Sequence, residues 1–295
     1  MCAEQSLANF ETCCLAEVFL PNVESELEFL DILELLYRIN KHSLTLPSHH
    51  PETEAIVHKN MRMGIGLTGI LQASKEQNSW MRAGYDYLRD FDERYSIMKG
   101  FNKSVKLTTV KPSGTLSLLP GVTPGIHPAY AQYMYRRIRI AASHPLVDTC
   151  RKNGYPIEYV KHFDGTEDYN TVVVTFPFSY PEGTKLASEM TALDQIKEIR
   201  RLQEDWSDNS VSCTIYYRKE EIPEIREYLQ KHYRNSHKSL SFLLHSEHGF
   251  AQAPYEEITR EQYEDLLART TVISSIESAE FEGQDECATG ACPIK

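Results

Sequence analysis

A chain of 295 residues, 41% hydrophobic and 25% charged, can bury one large core or two smaller ones and has an ordinary globular composition. Its net charge of −11 argues against a protein that holds nucleic acid or an anionic membrane by its overall field, so an anionic ligand needs a local site. No run approaches the roughly 18 apolar residues that span a bilayer, and no basic-then-apolar region opens the chain. Seven cysteines (2, 13, 14, 150, 213, 287 and 292) make an odd number without a secretion signal. That predicts a reducing, cytoplasmic setting in which any disulfide is transient and catalytic, with Cys150 and Cys213 as small buried apolar residues.

Cys2 is followed two residues later by Glu4 and eleven residues later by Cys13. A thiol beside a carboxylate suits radical or nucleophilic chemistry, and a second thiol suits disulfide exchange, although such a pair alone is more often structural. Leu15 to Leu20 reads as a short buried strand closed by Pro21-Asn22, and residues 23–39 carry a helical leucine stripe. His42, His49, His50 and His58 lack the i, i+4 spacing beside a glutamate that a metal site on a helix needs, so no metal is predicted. Gly64-Ile-Gly-Leu-Thr-Gly69 fits the dinucleotide template but follows a poor strand, which favours close backbone packing over a nicotinamide site. Residues 75–99 predict an amphipathic helix with Trp80, Tyr85, Leu88 and Phe91 inward.

Leu107 to Val110 is β-rich and runs into Pro112-Ser113-Gly114-Thr115. Free amides at a helix start, two hydroxyls and a glycine that admits close approach form a phosphate cradle; the same residues also fit a plain N-cap. The arginines 136, 137 and 139 are left without a role. Helices are predicted over 144–153, 190–206, 219–233 and 260–269, and strands over 171–177 (stopped by Pro177), 211–217 and 239–244. This alternation predicts an α/β chain with parallel strand pairing. From about Thr271 the periodicity fades into an acidic, flexible tail with Cys287 and Cys292, suited to a redox arm or to half of a zinc site that has no second pair nearby.

Three stretches together resemble a known family. The finger around Cys2, Glu4 and Thr12-Cys13-Cys14-Leu15-Ala16-Glu17-Val18-Phe19, the run Lys111-Pro-Ser-Gly-Thr-Leu-Ser117 with Pro124-Gly-Ile-His-Pro128, and the ending Cys287-Ala-Thr-Gly-Ala-Cys292-Pro-Ile-Lys are similar to the C-terminal part of monomeric, adenosylcobalamin-dependent (class II) ribonucleoside-triphosphate reductases. The resemblance implies the second half of a ten-stranded α/β barrel over residues 1–270, the finger threading its interior, with a flexible redox tail over 271–295. It implies Cys2 as the thiyl radical that abstracts the ribose 3′-hydrogen, Glu4 as the base at the 3′-hydroxyl, and Cys13 as one of two reducing thiols. Pro112, Ser113, Gly114 and Thr115 would hold substrate phosphate, and Cys287 and Cys292 would pass electrons from thioredoxin. Adenosylcobalamin is the implied cofactor and a ribonucleoside triphosphate the implied substrate.

The family's Asn-Pro before the cysteine is missing, with Met1 standing at the proline. The chain is therefore expected to need an N-terminal half, which carries the partner thiol, and to be inactive alone; an intein or split gene ending before Cys2 would account for the cut. Two rivals are a hydrolase with Cys2 as nucleophile, for which no histidine is placed, and a zinc-binding module built from Cys13, Cys14, Cys287 and Cys292.

Overall fold

The computed structural model describes residues 4–162, 164–245 and 252–274. The strands are β1 (Leu15–Phe19), β2 (Gly64–Thr68), β3 (Thr108–Thr109), β4 (Tyr133–Ala141), β5 (Ile157–Lys161), β6 (Glu167–Ser179), β7 (Thr214–Tyr217), β8 (Ser241–Leu244) and β9 (Tyr255–Glu257). The helices are α1 (Glu26–Ser43), α2 (Pro51–Asn60), α3 (Lys75–Lys99), α4 (Pro145–Lys152), α5 (Ala192–Asp205), α6 (Ile222–Ser236) and α7 (Arg260–Arg269). No described helix is long and apolar enough to cross a membrane. The chain divides into two compact units, Met1–Gln132 with Tyr180–Glu247, and Tyr133–Ser179 with His248–Lys295.

In the first unit every strand pair is parallel. β1 pairs with β2 and β2 with β3; Val110 continues β3 into a parallel bridge with Val211, at the approach to β7, which pairs with β8. Five parallel strands in that order are what half of a ten-stranded barrel requires. Helices begin where capping chemistry starts them: Ser74 and Gln77 form a reciprocal capping box at α3, and Thr191 and Asp194 form another at α5. One strand face is apolar. Val18, Ile65, Leu67, Leu107, Val110, Val211 and Ile215 pack against Phe29, Leu33, Trp80, Leu88, Ile196, Ile199 and Trp206 from the helices. The Trp206 indole also donates to the Thr109 carbonyl at 3.0 Å, tying α5 to β3. Outside β7 and β8 lies an apolar groove of about 660 Å³ lined by Tyr217, Ile222, Ile225, Leu229, Tyr233 and Phe242.

Helices α1 and α3 are joined through a buried ion pair. The Lys41 ammonium, with no exposed side-chain surface, donates to Asp92 (2.8 Å), the Asn102 carbonyl (2.8 Å) and the Ser104 hydroxyl (2.9 Å). Asp92 also accepts from the Tyr37 hydroxyl (2.7 Å) and the Ser104 amide (2.9 Å). Burial raises the Asp92 carboxyl, but Lys41, Tyr37 and the Ser104 amide outweigh it and hold the group below the usual aspartate range.

Three features depart from the sequence reading. Residues 51–60, for which no element was predicted, form α2, started by Pro51 in the first turn. Gly64–Thr68 is itself a strand. The second unit is an antiparallel sheet ordered β5-β6-β4-β9, not a continuation of the parallel pattern. There Pro177 lies inside β6 rather than stopping it, because the pairing with β5 ends at Val174 and the missing N–H falls on an open side.

Candidate active site

The segment from Glu4 to Cys14 is anchored along its length. The Ser210 amide donates to the Glu4 carbonyl (2.8 Å), and the Gly64 amide to the Cys14 carbonyl (2.9 Å). Between them, Glu11 accepts from the Ala8 amide (2.7 Å), Asn60 (2.9 Å) and Arg62 (2.9 Å). Burial raises the Glu11 carboxyl, but these donors together take it below its ordinary value. Glu4 is buried, and its Oε2 has no hydrogen-bond partner among the described residues. A buried carboxylate oxygen without a donor is costly and is the mark of a group waiting for one.

Cys2, Cys287 and Cys292 lie outside the described residues. Cys13 is exposed and borders a cleft of about 390 Å³ with His49 and Glu54, whereas the Cys14 thiol is half buried and donates to the Asn40 carbonyl at 3.8 Å. Burial, helped by the neighbouring Cys13, pushes the Cys14 thiol up to about 11; burial takes Cys213 to about 12 and also raises Cys150. Since the thiolate is the reactive form, alkylation at pH 8 should modify Cys14 about a hundredfold more slowly in the native protein than in the unfolded chain. Site-resolved mass spectrometry measures the ratio, and equal rates would show that the burial of Cys14 does not hold in solution.

The glycines of the dinucleotide-like run have a packing role. A Cβ on Gly64 would lie 2.6 Å from Gln5 Nε2, one on Gly66 2.6 Å from Glu17 Oε2, and one on Gly69 2.7 Å from the Pro21 ring. Each glycine thus admits a residue of the N-terminal segment against β2.

At the C-terminal end of β3, Ser113 and Gly114 both adopt left-handed backbone, with φ of 53° and 48°. A short 3-10 turn, Gly114–Leu118, follows, and the Ser113 side chain makes no capping bond to it, which removes the plain N-cap reading for that residue. Instead the Ser113 hydroxyl donates to Glu17 Oε1 at 2.7 Å and also bonds to the Thr68 hydroxyl, which accepts from the Gly125 amide at 2.6 Å. Lys111 Nζ stands 3.4 Å from Glu17 Oε2. No described group accepts from the amides of Ser113 or Thr115, and Thr115 is exposed. Nearby, His127 is half-buried with both ring nitrogens engaged: Nδ1 donates to the Pro124 carbonyl (3.1 Å) and Nε2 accepts from the Thr214 amide (3.1 Å). Burial lowers its pKa, so it is a neutral strut between loop and strand.

The ribonucleotide reductase barrel domain, as a family model, matches residues 92–243. The chain belongs to the ribonucleotide reductase family. Its relatives include the probable adenosylcobalamin-dependent ribonucleoside-triphosphate reductase of Dictyostelium discoideum, 34% identical over 90% of this chain and 36% of that protein. The adenosylcobalamin-dependent ribonucleoside-triphosphate reductases of Euglena gracilis (35% identical, 94% of this chain, 38% of that protein) and Lactobacillus leichmannii (31%, 100% and 45%) match as well. A crystal structure of a B12-dependent (class II) ribonucleotide reductase superposes with a TM-score of 0.80 at 30% identity, covering 92% of this chain and 42% of that one. The alpha subunit of a class Id ribonucleotide reductase from Actinobacillus ureae shares the fold, with a TM-score of 0.52 at 15% identity over 83% of this chain and 52% of that one. The chain spans less than half the length of these curated relatives.

Within this reductase-family chain the sequence reading missed the part played by Glu17 and Thr68. The signal was present: in β1 and β2 the residues alternating with buried Val18, Ile65 and Leu67 are Glu17, Gly66 and Thr68, a polar inner face.

Proposed function

We propose that this chain is the C-terminal half of the catalytic barrel of an adenosylcobalamin-dependent ribonucleoside-triphosphate reductase, with the segment from residue 271 as its redox arm. The observation that carries the proposal is the buried, unpartnered Glu4 oxygen, two residues after Cys2, on a segment pinned to the barrel strands. Cobalamin carries its metal inside its own macrocycle, so the chain must offer a thiol to oxidise rather than a ligand set, and Cys2 is that thiol. When bound, the cofactor supplies the homolysis that leaves Cys2 as a thiyl radical.

The radical takes the hydrogen from C3′ while Glu4 accepts the 3′-hydroxyl proton. The 2′-hydroxyl leaves as water. Two thiols, Cys13 and one from the preceding part of the reductase, supply two electrons and two hydrogens and become a disulfide. Cys2 returns hydrogen to C3′ and recovers its radical, while Glu4 gives the proton back to the 3′-oxygen. Thiol exchange with Cys287 and Cys292 restores the dithiol, and thioredoxin restores the arm. The loop Pro112-Ser113-Gly114-Thr115 holds the triphosphate.

The test is anaerobic formation of deoxynucleotide from ribonucleoside triphosphates by this chain assembled with its N-terminal partner, adenosylcobalamin and a dithiol. Turnover that needs the cofactor and is abolished in Cys2→Ser is expected. A soluble, assembled pair without turnover overturns the proposal.

A further inference from the structure

We infer that Glu17 is a positioning residue of the phosphate loop: its carboxylate accepts the hydrogen bond of the Ser113 hydroxyl and thereby fixes the loop in the conformation that turns the Ser113 and Thr115 amides toward the anion. This rests on the reading of residues 112–115 as the substrate phosphate site.

The placement of Glu17 needs an explanation. Its side chain is 2% exposed on the inner side of β1, opposite Gly66, whose missing side chain makes the room it occupies. Its Oε2 accepts no hydrogen bond among the described residues, and Lys111 stands off at 3.4 Å. A buried carboxylate with one oxygen unsatisfied is a poor stabilising device, so its position beside the loop points to a role in the site. Burial raises the carboxyl, and the bond from Ser113 together with the charge of Lys111 offsets this only in part.

The direction of the bonds identifies that role. The Gly125 amide donates to Thr68, and the Ser113 hydroxyl donates to Glu17, so the Thr68 proton is directed to Ser113 Oγ. The Ser113 hydroxyl is thus committed on both sides and does not donate to phosphate, which corrects the expectation that two hydroxyls converge on the anion. What it does is hold a non-glycine residue at φ 53°, followed by Gly114 at 48°. Backbone of this kind persists when its surroundings over-determine it, and successive left-handed or mixed turns form an amide-lined concavity for anions. Glu17 and Thr68 supply the over-determination.

The experiment is a double-mutant cycle in the assembled reductase, reading KM and kcat for a ribonucleoside triphosphate alongside thermal melting. Glu17→Gln preserves volume; Lys111 turns the new amide oxygen toward itself and reverses the bond to Ser113. Each of Glu17→Gln and Ser113→Ala should raise KM about tenfold with kcat within about twofold, the loss expected for one hydrogen bond to a charged group. The double variant should also stay near tenfold, because both act through one anchor. A product near a hundredfold, a fall in kcat or melting temperature without a change in KM, or no effect of Glu17→Gln overturns the inference. Gly114→Val separates this from the underlying reading: if it leaves KM unchanged the loop does not hold phosphate, whereas a raised KM with Glu17→Gln silent removes only the role of Glu17. If Glu17→Gln does not assemble, Thr68→Val breaks the same chain of bonds and carries the same expectation, including non-additivity with Ser113→Ala.

Discussion

Glu4→Gln should lower turnover of the assembled reductase by about two to four orders of magnitude, the contribution of a positioned general base, while nucleotide binding changes little. The substitution keeps size and shape. It also keeps the anchor, since the Ser210 amide bonds to the main-chain carbonyl of residue 4 and not to its side chain. The variant therefore separates chemistry from folding: what it removes is the capacity of a buried, unpartnered oxygen to accept a proton. Single-turnover formation of deoxynucleotide, with nucleotide affinity measured in parallel, reads the effect. A rate within about tenfold of the parent would reassign the base to another group.

Lys41→Met should destabilise the chain by about 3–5 kcal/mol, because it leaves Asp92 charged and buried without its cation. Lys41 has no exposed side-chain surface, so solvent cannot compensate for the loss. Replacing both partners, Lys41→Met with Asp92→Leu, should recover much of that loss, since an apolar pair demands no desolvation of charge. Denaturant unfolding of the two variants makes the comparison, and a double variant as unstable as the single one would mean that the Tyr37 and Ser104 bonds, rather than the ion pair, hold α1 to α3. The acid side follows from the sign of the shift. Asp92 is held below the ordinary aspartate range, so its contribution is complete above the ordinary value and is lost as pH falls through the lower, folded-state value.

The long helices were legible in the sequence because their stripes and caps are local. Residues 75–99 carry both the apolar period and the Ser74/Gln77 box that starts α3. The strands β1, β3, β7 and β8 were legible as apolar runs, and the resemblance supplied the barrel order, which no local signal carries. The Gly64–Gly69 run was read as close backbone packing, but its being a strand was hidden, since its glycines have weak strand preference and are explained by residues 5, 17 and 21, distant in sequence. The antiparallel second unit was missed for a related reason. Arg136, Arg137 and Arg139 were left without a role, and only their pairing with residues 173–176 makes that segment a strand. At the site, residues 112–115 were singled out by motif as a candidate phosphate cradle, whereas the bond from Ser113 to Glu17 spans 96 positions and has no sequence signature.

The parallel sheet of the first unit has a consequence for handling the protein. Among the described residues β1 and β8 each pair on one side only, and β8 exposes Phe242 and Leu243 beside the apolar groove of α6. A row of unpaired main-chain donors and acceptors next to exposed apolar side chains is a template for strand addition. Expressed by itself, this polypeptide would meet other copies edge to edge and tend to precipitate. Co-expression with a complementary sheet would give those edges a proper neighbour before self-association begins.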